Sequence, residues 1–460
     1  MGITNLLGLA RDALTAQGFG LDVTGQNIAN ASTPGYVKRT ALLETRTLGT
    51  VTYGGVAVAG IGRSVDRFLD ARAYDAGSFS ASAHSRDNAL AQVESLFNDT
   101  GGSGFADSLE SLFGSFSSLA TNPSDPTARA ATLAYADSFA ARLRQTSGQL
   151  LAQRQDLLTQ AQATAAQVTD LASRIAKLNA SISEAEVAGA DGSDLKDQRD
   201  QLVGELAGKI NIHVFTDGSG KLVIAAAGAT LVEGNNAAGL SVGTSGSGAM
   251  QILVQRAGGS SIDVTAQTTG GTLGGLREAR ETDLVAVSQK LDQFAYDVAT
   301  AINTQHAAGV GQDGLGSRNL FTLTGPAGAA ASITLNAAMV GHPEYVAAAS
   351  GAAELPSGST NAIALARLAD TDVMNGNSRT PIESYSDIVG DIGQRKMSSA
   401  QNVNLREAIY SQAQAMRESA SGVSMDEELI ALSKFQRAYE AASKLFRTAD
   451  ELLATLIREI

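Results

Sequence analysis

Apolar residues recur every seven positions at both ends of this 460-residue chain. In the first thirty residues the series is Leu7, Leu14, Leu21 and Ile28. A weaker companion series, Ile3, Ala10, Gln17 and Thr24, is offset by three or four. Together they draw one stripe along a helix of ~45 Å, at 1.5 Å per residue. The last thirty residues repeat the pattern with Leu432, Tyr439, Phe446, Leu453 and Ile460, beside Phe435, Ala442, Ala449 and Leu456. Ser424 is placed to cap this second helix, with Glu427 three residues on completing a capping box. Asp426 and Glu428 add negative charge at the positive end of its dipole. Two helices with one narrow seam each are expected to pack together as a coiled coil, bringing the chain ends side by side. The competing reading is that each stripe packs on a nearby domain.

Between the ends the pattern is nested. Residues 37–65 are β-prone and glycine-rich. Residues 66–210 read as helix in three pieces, with breaks at Thr100–Gly104 and Asn122–Pro126; Asp125 as N-cap and Pro126 at the first helical position restart the chain. At about 210 the period switches to two, through Ile210, Ile212 and Val214, with Asp217-Gly218 as a hairpin turn. Short strands continue to about 270, and a helix follows from Leu273 to about Ala307. Residues 310–375 are rich in Gly, Ala and Ser and carry no clear period. Helix returns from 382 to 420. The expected fold class is therefore α+β and multidomain. Residues 1–36 plus 422–460 form a terminal coiled coil. Residues 37–210, 271–308 and 380–421 form a mainly helical middle, with a short β segment near 37–65. Residues 211–270 form a β-rich outer domain, and 309–379 a second, short β/loop insert.

Composition narrows the function classes. Acidic residues outnumber basic ones, giving a net charge of −13, with the two signs interspersed. A nucleic-acid binder would show a basic face. Cysteine is absent, which removes disulfides and thiolate metal sites. The N-terminus has no basic and apolar signal-peptide regions, and no apolar run approaches the ~20 residues of a membrane span. A Gly-x-Gly-x-x-Gly at Gly309, Gly311 and Gly314 follows a helix rather than a strand, so it reads as a loop. His84, His213, His306 and His342 are scattered without metal-ligand spacing. No nucleophile, base and oxyanion donor come together, so no catalytic residue, cofactor or metal is expected.

The sharpest local feature is Asn27-Ile28-Ala29-Asn30-Ala31-Ser32-Thr33-Pro34-Gly35-Tyr36. Asn30 tolerates the left-handed conformation that ends many helices. Pro34 and Gly35 suit the two central positions of a type II turn. Read alone, this is a helix stop. With Asn27, Ala29, Asn30, Thr33, Pro34, Gly35 and Tyr36 placed after a terminal heptad helix, it resembles the signature of the flagellar rod/hook/hook-associated axial family. The C-terminal stretches from Gly422 to Glu428, Phe435 to Tyr439 and Thr448 to Leu453 resemble that family's last helix. The interior resembles its hook–filament junction branch at Asp125–Arg129, Leu195–Leu202, Gly270–Leu276, Leu291–Ala295 and Asn303–Gly309. The 310–375 stretch is short for the family.

The resemblance implies a structural subunit, not an enzyme, that links flexible hook to stiff filament. It implies export by the flagellar type III apparatus without a cleaved signal, to an extracellular site at the hook–filament junction. The implied partners are further copies of the chain, the hook protein, a second junction protein, and a cytosolic export chaperone at the C-terminal helix. Nucleic acid and membrane are not among them. The assembly seam would comprise Leu7, Leu14, Leu21 and Ile28 with Leu432, Phe435, Tyr439, Phe446, Leu453 and Leu456. Within the family the alternative is the hook protein or another axial subunit; outside it, a secreted adhesin or glycan-active enzyme.

Overall fold

The computed structural model of the protein describes residues 3–48, 51–97, 104–218, 221–256 and 259–459. The chain begins with helix α1 (Ile3–Asn30) and a long antiparallel hairpin, β1 (Arg39–Leu48) and β2 (Val51–Arg63). Four helices follow: α2 (Arg67–Leu96), α3 (Phe105–Thr121), α4 (Pro126–Val187) and α5 (Ser193–Lys209). Helix α4 alone runs 62 residues, or ~93 Å. It starts where Asp125 accepts a hydrogen bond from the Thr127 N–H at 2.9 Å, with Pro126 in the first turn.

The expected third helical piece is in fact two, because the chain breaks between α4 and α5. There Gly189 takes φ +72°, and the Ala190 N–H bonds the Ala185 carbonyl at 2.9 Å, the six-to-one closure that glycine permits at a helix end.

The strands that follow form two small antiparallel sheets. One contains β3 (Ile212–Thr216), β4 (Leu222–Ala226), β5 (Ala229–Glu233) and β6 (Asn236–Ala237). The other contains β7 (Gly239–Thr244), β8 (Met250–Gln255) and β9 (Ser261–Asp263). Both lean on the flank of α4. The Thr169 hydroxyl accepts from the Leu240 N–H at 2.9 Å, and the Asn179 amide donates to the Gly234 carbonyl at 2.7 Å.

Helix α6 (Gly271–Glu278) passes through one π turn, Ala279–Asp283, into α7 (Leu284–Ala308). The π turn aims Asp283 into the body, where it is fully buried. Its carboxylate receives two hydrogen bonds from Arg86 of α2, at 2.8 and 3.0 Å, and one from Arg395 at 3.2 Å. Charges this deep persist only when paired.

Residues 309–379 hold β10 (Phe321–Thr322), α8 (Ala329–Ser332), β11 (Thr334–Leu335) and α9 (Thr360–Arg367), joined by irregular chain. Expected as a second, short β/loop insert, this segment buries Leu320, Phe321, Ile333, Met339, Val346 and Leu365 in the same core as α3, α4 and α7. Its apolar residues have no helical or strand period because its backbone has none, so their burial is not legible from spacing.

The chain closes with α10 (Pro381–Ser421), started by a Thr380–Glu383 capping box, and α11 (Met425–Glu459). Ion pairs lace α10 to α2: Lys396 to Asp87 at 2.8 Å and Arg417 to Asp70 at 2.7 Å.

His306 shows how the irregular segment is anchored. The ring is fully buried. Nδ1 faces the Arg318 carbonyl at 2.7 Å, and Nε2 accepts from the Ala347 N–H at 3.1 Å. Both contacts require the neutral ring with its proton on Nδ1. Burial pushes its pKa below the ordinary histidine value. The unfolded chain therefore takes up the proton first, and stability drops as pH falls below about 6.5. The melting temperature is expected to decline between about pH 7 and about pH 5, and His306→Gln should lower it at neutral pH while flattening that slope. An equal slope in both proteins would refute the assignment.

Candidate functional site: the clamp between the chain ends

The terminal helices do pair, α1 alongside α11, but large residues do not form the innermost line. Above Asn27 and Glu428 at its base, the buried positions of the pair are Ala10, Ala16, Gly20, Val23 and Thr24 on α1, and Ala442 and Ala449 on α11. They belong largely to the weaker companion series. Leu7, Leu14, Leu21 and Ile28 are half-buried along the flank, as are Leu432, Phe435 and Leu453. Tyr439 and Phe446 remain 41% and 37% exposed, and the Leu456 side chain lies outside the described residues. The physical reason is close approach. The Phe435 ring lies where a Cβ on Gly20 would be, so small residues set the helix separation and large ones splay to either side. Leu429, Ile430, Leu452 and Ile457 add to an apolar surface that α1 does not cover.

Below this coil the sequence motif builds a polar hub. Asn27, 1% exposed, uses all of its side-chain hydrogen-bonding positions. Its Nδ2 donates to the Arg39 carbonyl at 2.8 Å and to Glu428 Oε2 at 3.0 Å. Its Oδ1 accepts from the Tyr36 hydroxyl at 2.9 Å and from the Arg39 N–H at 3.0 Å. One amide thus joins α1, the turn, the start of β1 and the start of α11. Glu428 is itself buried, and its other oxygen lies 3.5 Å from the Lys38 ammonium. Glu427, expected to close a capping box on Ser424, places its carboxylate on Lys38 instead, at 2.7 Å. That contact holds the Lys38 pKa above the ordinary value and the Glu427 pKa below it.

The turn meets its expected geometry at one residue and departs from it at another. Gly35 has φ +81°, and the Tyr36 N–H bonds the Thr33 carbonyl at 3.2 Å, as a type II turn around Pro34 and Gly35 requires. A Cβ on Gly35 would also run into the Gln201 side chain. Asn30, expected to turn left-handed, stays in the right-handed helix. It closes the last turn with its side chain, donating to the Gln26 carbonyl at 3.0 Å and accepting from the Thr33 hydroxyl at 3.3 Å. Ala29, Thr33 and Pro34 face solvent.

Helix α5 completes the clamp. Asp194, Asp197 and Asp200 follow one another at three-residue steps along one side of it. Arg39 bonds Asp194 and, at 3.2 Å, Asp197. Arg63 bonds Asp197 through Nε at 3.0 Å and Asp200 at 2.9 Å. Gln201 donates to the Pro34 carbonyl. Burial works against both guanidinium charges, yet the carboxylates outweigh it and raise both pKa values. Arg39 also lies over the Tyr36 ring, 4.8 Å from its centroid. Arg39 and Arg63 carry no local sequence signal; only their distant partners make them part of the site.

Replacing Asn27 by Leu keeps the volume and strips partners from the Arg39 N–H, the Tyr36 hydroxyl and Glu428, at about 1–3 kcal/mol each. The Arg39 amide is expected to exchange with solvent faster in Asn27→Leu and unchanged in Ala29→Ser, a substitution at an exposed site. Unaltered protection in Asn27→Leu would sink the hub.

No helix among the described residues is long and apolar enough to cross a membrane, and no group of three or more His, Asp or Glu among them is placed to hold a metal. Against models of known families, residues 7–36 match the flagella basal body rod protein and residues 412–459 the flagellar basal body rod FlgEFG protein C-terminal region. These two segments are the ones joined at Asn27 and Glu428. Flagellar hook-associated protein 1 of Salmonella typhimurium is 27% identical, over 99% of this chain and 100% of that protein. Its counterpart from Bacillus subtilis is also 27% identical, over 97% and 96%. The solved flagellar hook junction protein FlgK from Burkholderia pseudomallei shares the fold, with a TM-score of 0.66 at 18% identity over 76% of this chain and all of that one. The long helices α3 and α4, with α5 between them and the strands, fall in residues 90–321, half of the chain, which match the flagellar hook-associated protein FlgK helical domain; this chain therefore belongs to the FlgK family of flagellar hook-associated proteins.

Proposed function

We propose that this protein is an axial structural subunit at the hook–filament junction, adapting a flexible hook to a stiff filament, and that it acts by assembly rather than by catalysis. The observation that carries this reading is the terminal coil. Its inner line is built mostly from small residues, Ala10, Ala16, Gly20, Thr24, Ala442 and Ala449, while α11 leaves Leu429, Ile430, Tyr439, Phe446 and Leu452 more than a third exposed. Exposed apolar residues in that number mark a contact surface. In a closed ring or helix of identical subunits, neighbouring copies cover it.

The chain then has residues 1–36 and 422–460 as its axial end and a mainly helical middle. Its β-rich part, 211–270, lies on the outer side, and 309–379 is drawn into the helical body. Family membership makes it part of the external flagellum. Beyond that we assign copies of itself, the hook protein and a second junction protein as its assembly partners. A cytosolic export chaperone is assigned to α11, ahead of passage through the type III apparatus without signal cleavage.

The decisive test is genetic. Loss of this protein in its bacterium is expected to leave complete hooks and shed flagellin into the medium; absence of hooks would overturn the junction assignment in favour of the hook itself. Leu453→Asp with Leu456→Asp should abolish chaperone binding and incorporation, and normal filaments in that strain would exclude α11 as the docking element.

A further inference from the structure

We infer that the meeting of terminal coil and body is a hinge, held by the α5 carboxylate ladder beside a cleft into which the coil and hairpin can swing as one lever. No helix passes through this level. Helix α1 stops at Asn30 and the hairpin at Arg63, α2 starts at Arg67, α10 stops at Ser421, and α11 starts at Met425. The three connecting segments lie side by side. The Lys38 N–H donates to the Ser421 carbonyl at 2.8 Å, the Ser64 N–H to the Lys38 carbonyl at 2.9 Å, and the Ser64 hydroxyl to the Ala420 carbonyl at 3.0 Å. Rotation here breaks no helical hydrogen bond, as befits a hinge made of element-terminal residues.

On the far side of the pivot the parts form one unit. Asn27 ties α1, the hairpin base and α11 together. Further out, Arg46 of β1 pairs with Asp12 of α1 at 2.9 Å. From the body, α5 grips this unit through Arg39 and Arg63, each of which reaches two of the three carboxylates and shares Asp197. Successive rungs are ~4.5 Å apart along the helix. A guanidinium spanning two rungs can exchange one for the next, whereas a packed apolar contact has no intermediate positions.

The larger opening lies on the hairpin side, and a smaller one is lined by Leu69, Met416 and Ala420 at the ends of α2 and α10. A cleft of about 1580 Å³ opens beside the joint. It is lined by Phe19, Val58 and Arg63 on the lever, Phe215 on the β3–β6 side, and Lys196 and Asp200 of α5. Releasing the ladder lets the lever close this space.

The chain has no cysteine, so a labelled pair can be introduced cleanly. Glu44 on the hairpin and Asn235 across the cleft are both exposed. Spin labels at Glu44→Cys and Asn235→Cys in the full chain are read by pulsed electron paramagnetic resonance. The parent protein is expected to give one narrow distance distribution. Asp197→Asn with Asp200→Asn is expected to shift it to shorter distances, with the far-ultraviolet circular dichroism unchanged. Should that double variant lose helical signal, Arg63→Gln, which leaves α5 untouched, decides by the same criterion. A distribution unmoved in the variants, one shifted to longer distances, or one already broad in the parent overturns the hinge. The readout is made on the isolated chain, so it is separate from any flagellar phenotype.

Discussion

A single buried amide holds the two ends of this chain in register. Asn27 meets Arg39, Tyr36 and Glu428 with no polar atom to spare, and those partners come from positions 12, 9 and 401 residues away. A buried carboxylate such as Glu428 is costly unless paired and hydrogen-bonded, and here Asn27 and Lys38 supply both. Everything outward of this point, the α1–α11 pair and the hairpin beside it, takes its direction from that contact.

The distribution of forces changes along the molecule. The body is held by a continuous apolar core that runs from α3 and α4 through the small sheets to residues 309–379. Toward the coil, burial thins and charge takes over. Asp283 gathers Arg86 and Arg395, Lys396 meets Asp87, Arg417 meets Asp70, and finally Arg39 and Arg63 meet the ladder on α5. At the end of the chain the inner contact is between small residues and the large apolar ones face outward. A rigid core, an ionic joint and an under-covered coil form a sequence that suits a subunit placed between a bending element and a stiff one.

Two stretches that stand far apart in the sequence carry related information. The turn from Asn27 to Tyr36 and the acidic run on α5 each resemble the axial family by themselves, and in the fold they touch. Gln201 reaches the Pro34 carbonyl, Asp197 reaches Arg39, and Gly35 must lack a side chain because Gln201 occupies that space.

Periodicity and capping chemistry determined most of the elements. The terminal heptads, the Asp125-Pro126 restart, the switch to a period of two near 210 and the Pro34-Gly35 turn all rest on local rules, and each is legible without knowing a partner. The Thr380–Glu383 cap of α10 was equally open to reading. Tertiary structure decided the rest. It chose the small companion series as the inner line of the coil, because helix separation depends on both partners at once. It drew the irregular 309–379 segment into the core, where no period marks burial. It moved Glu427 from a cap to Lys38, and left Asn30 right-handed because its side chain found the Gln26 carbonyl. Local signals name what a segment can form; which charge meets which, across hundreds of residues, is settled only when the chain has closed on itself.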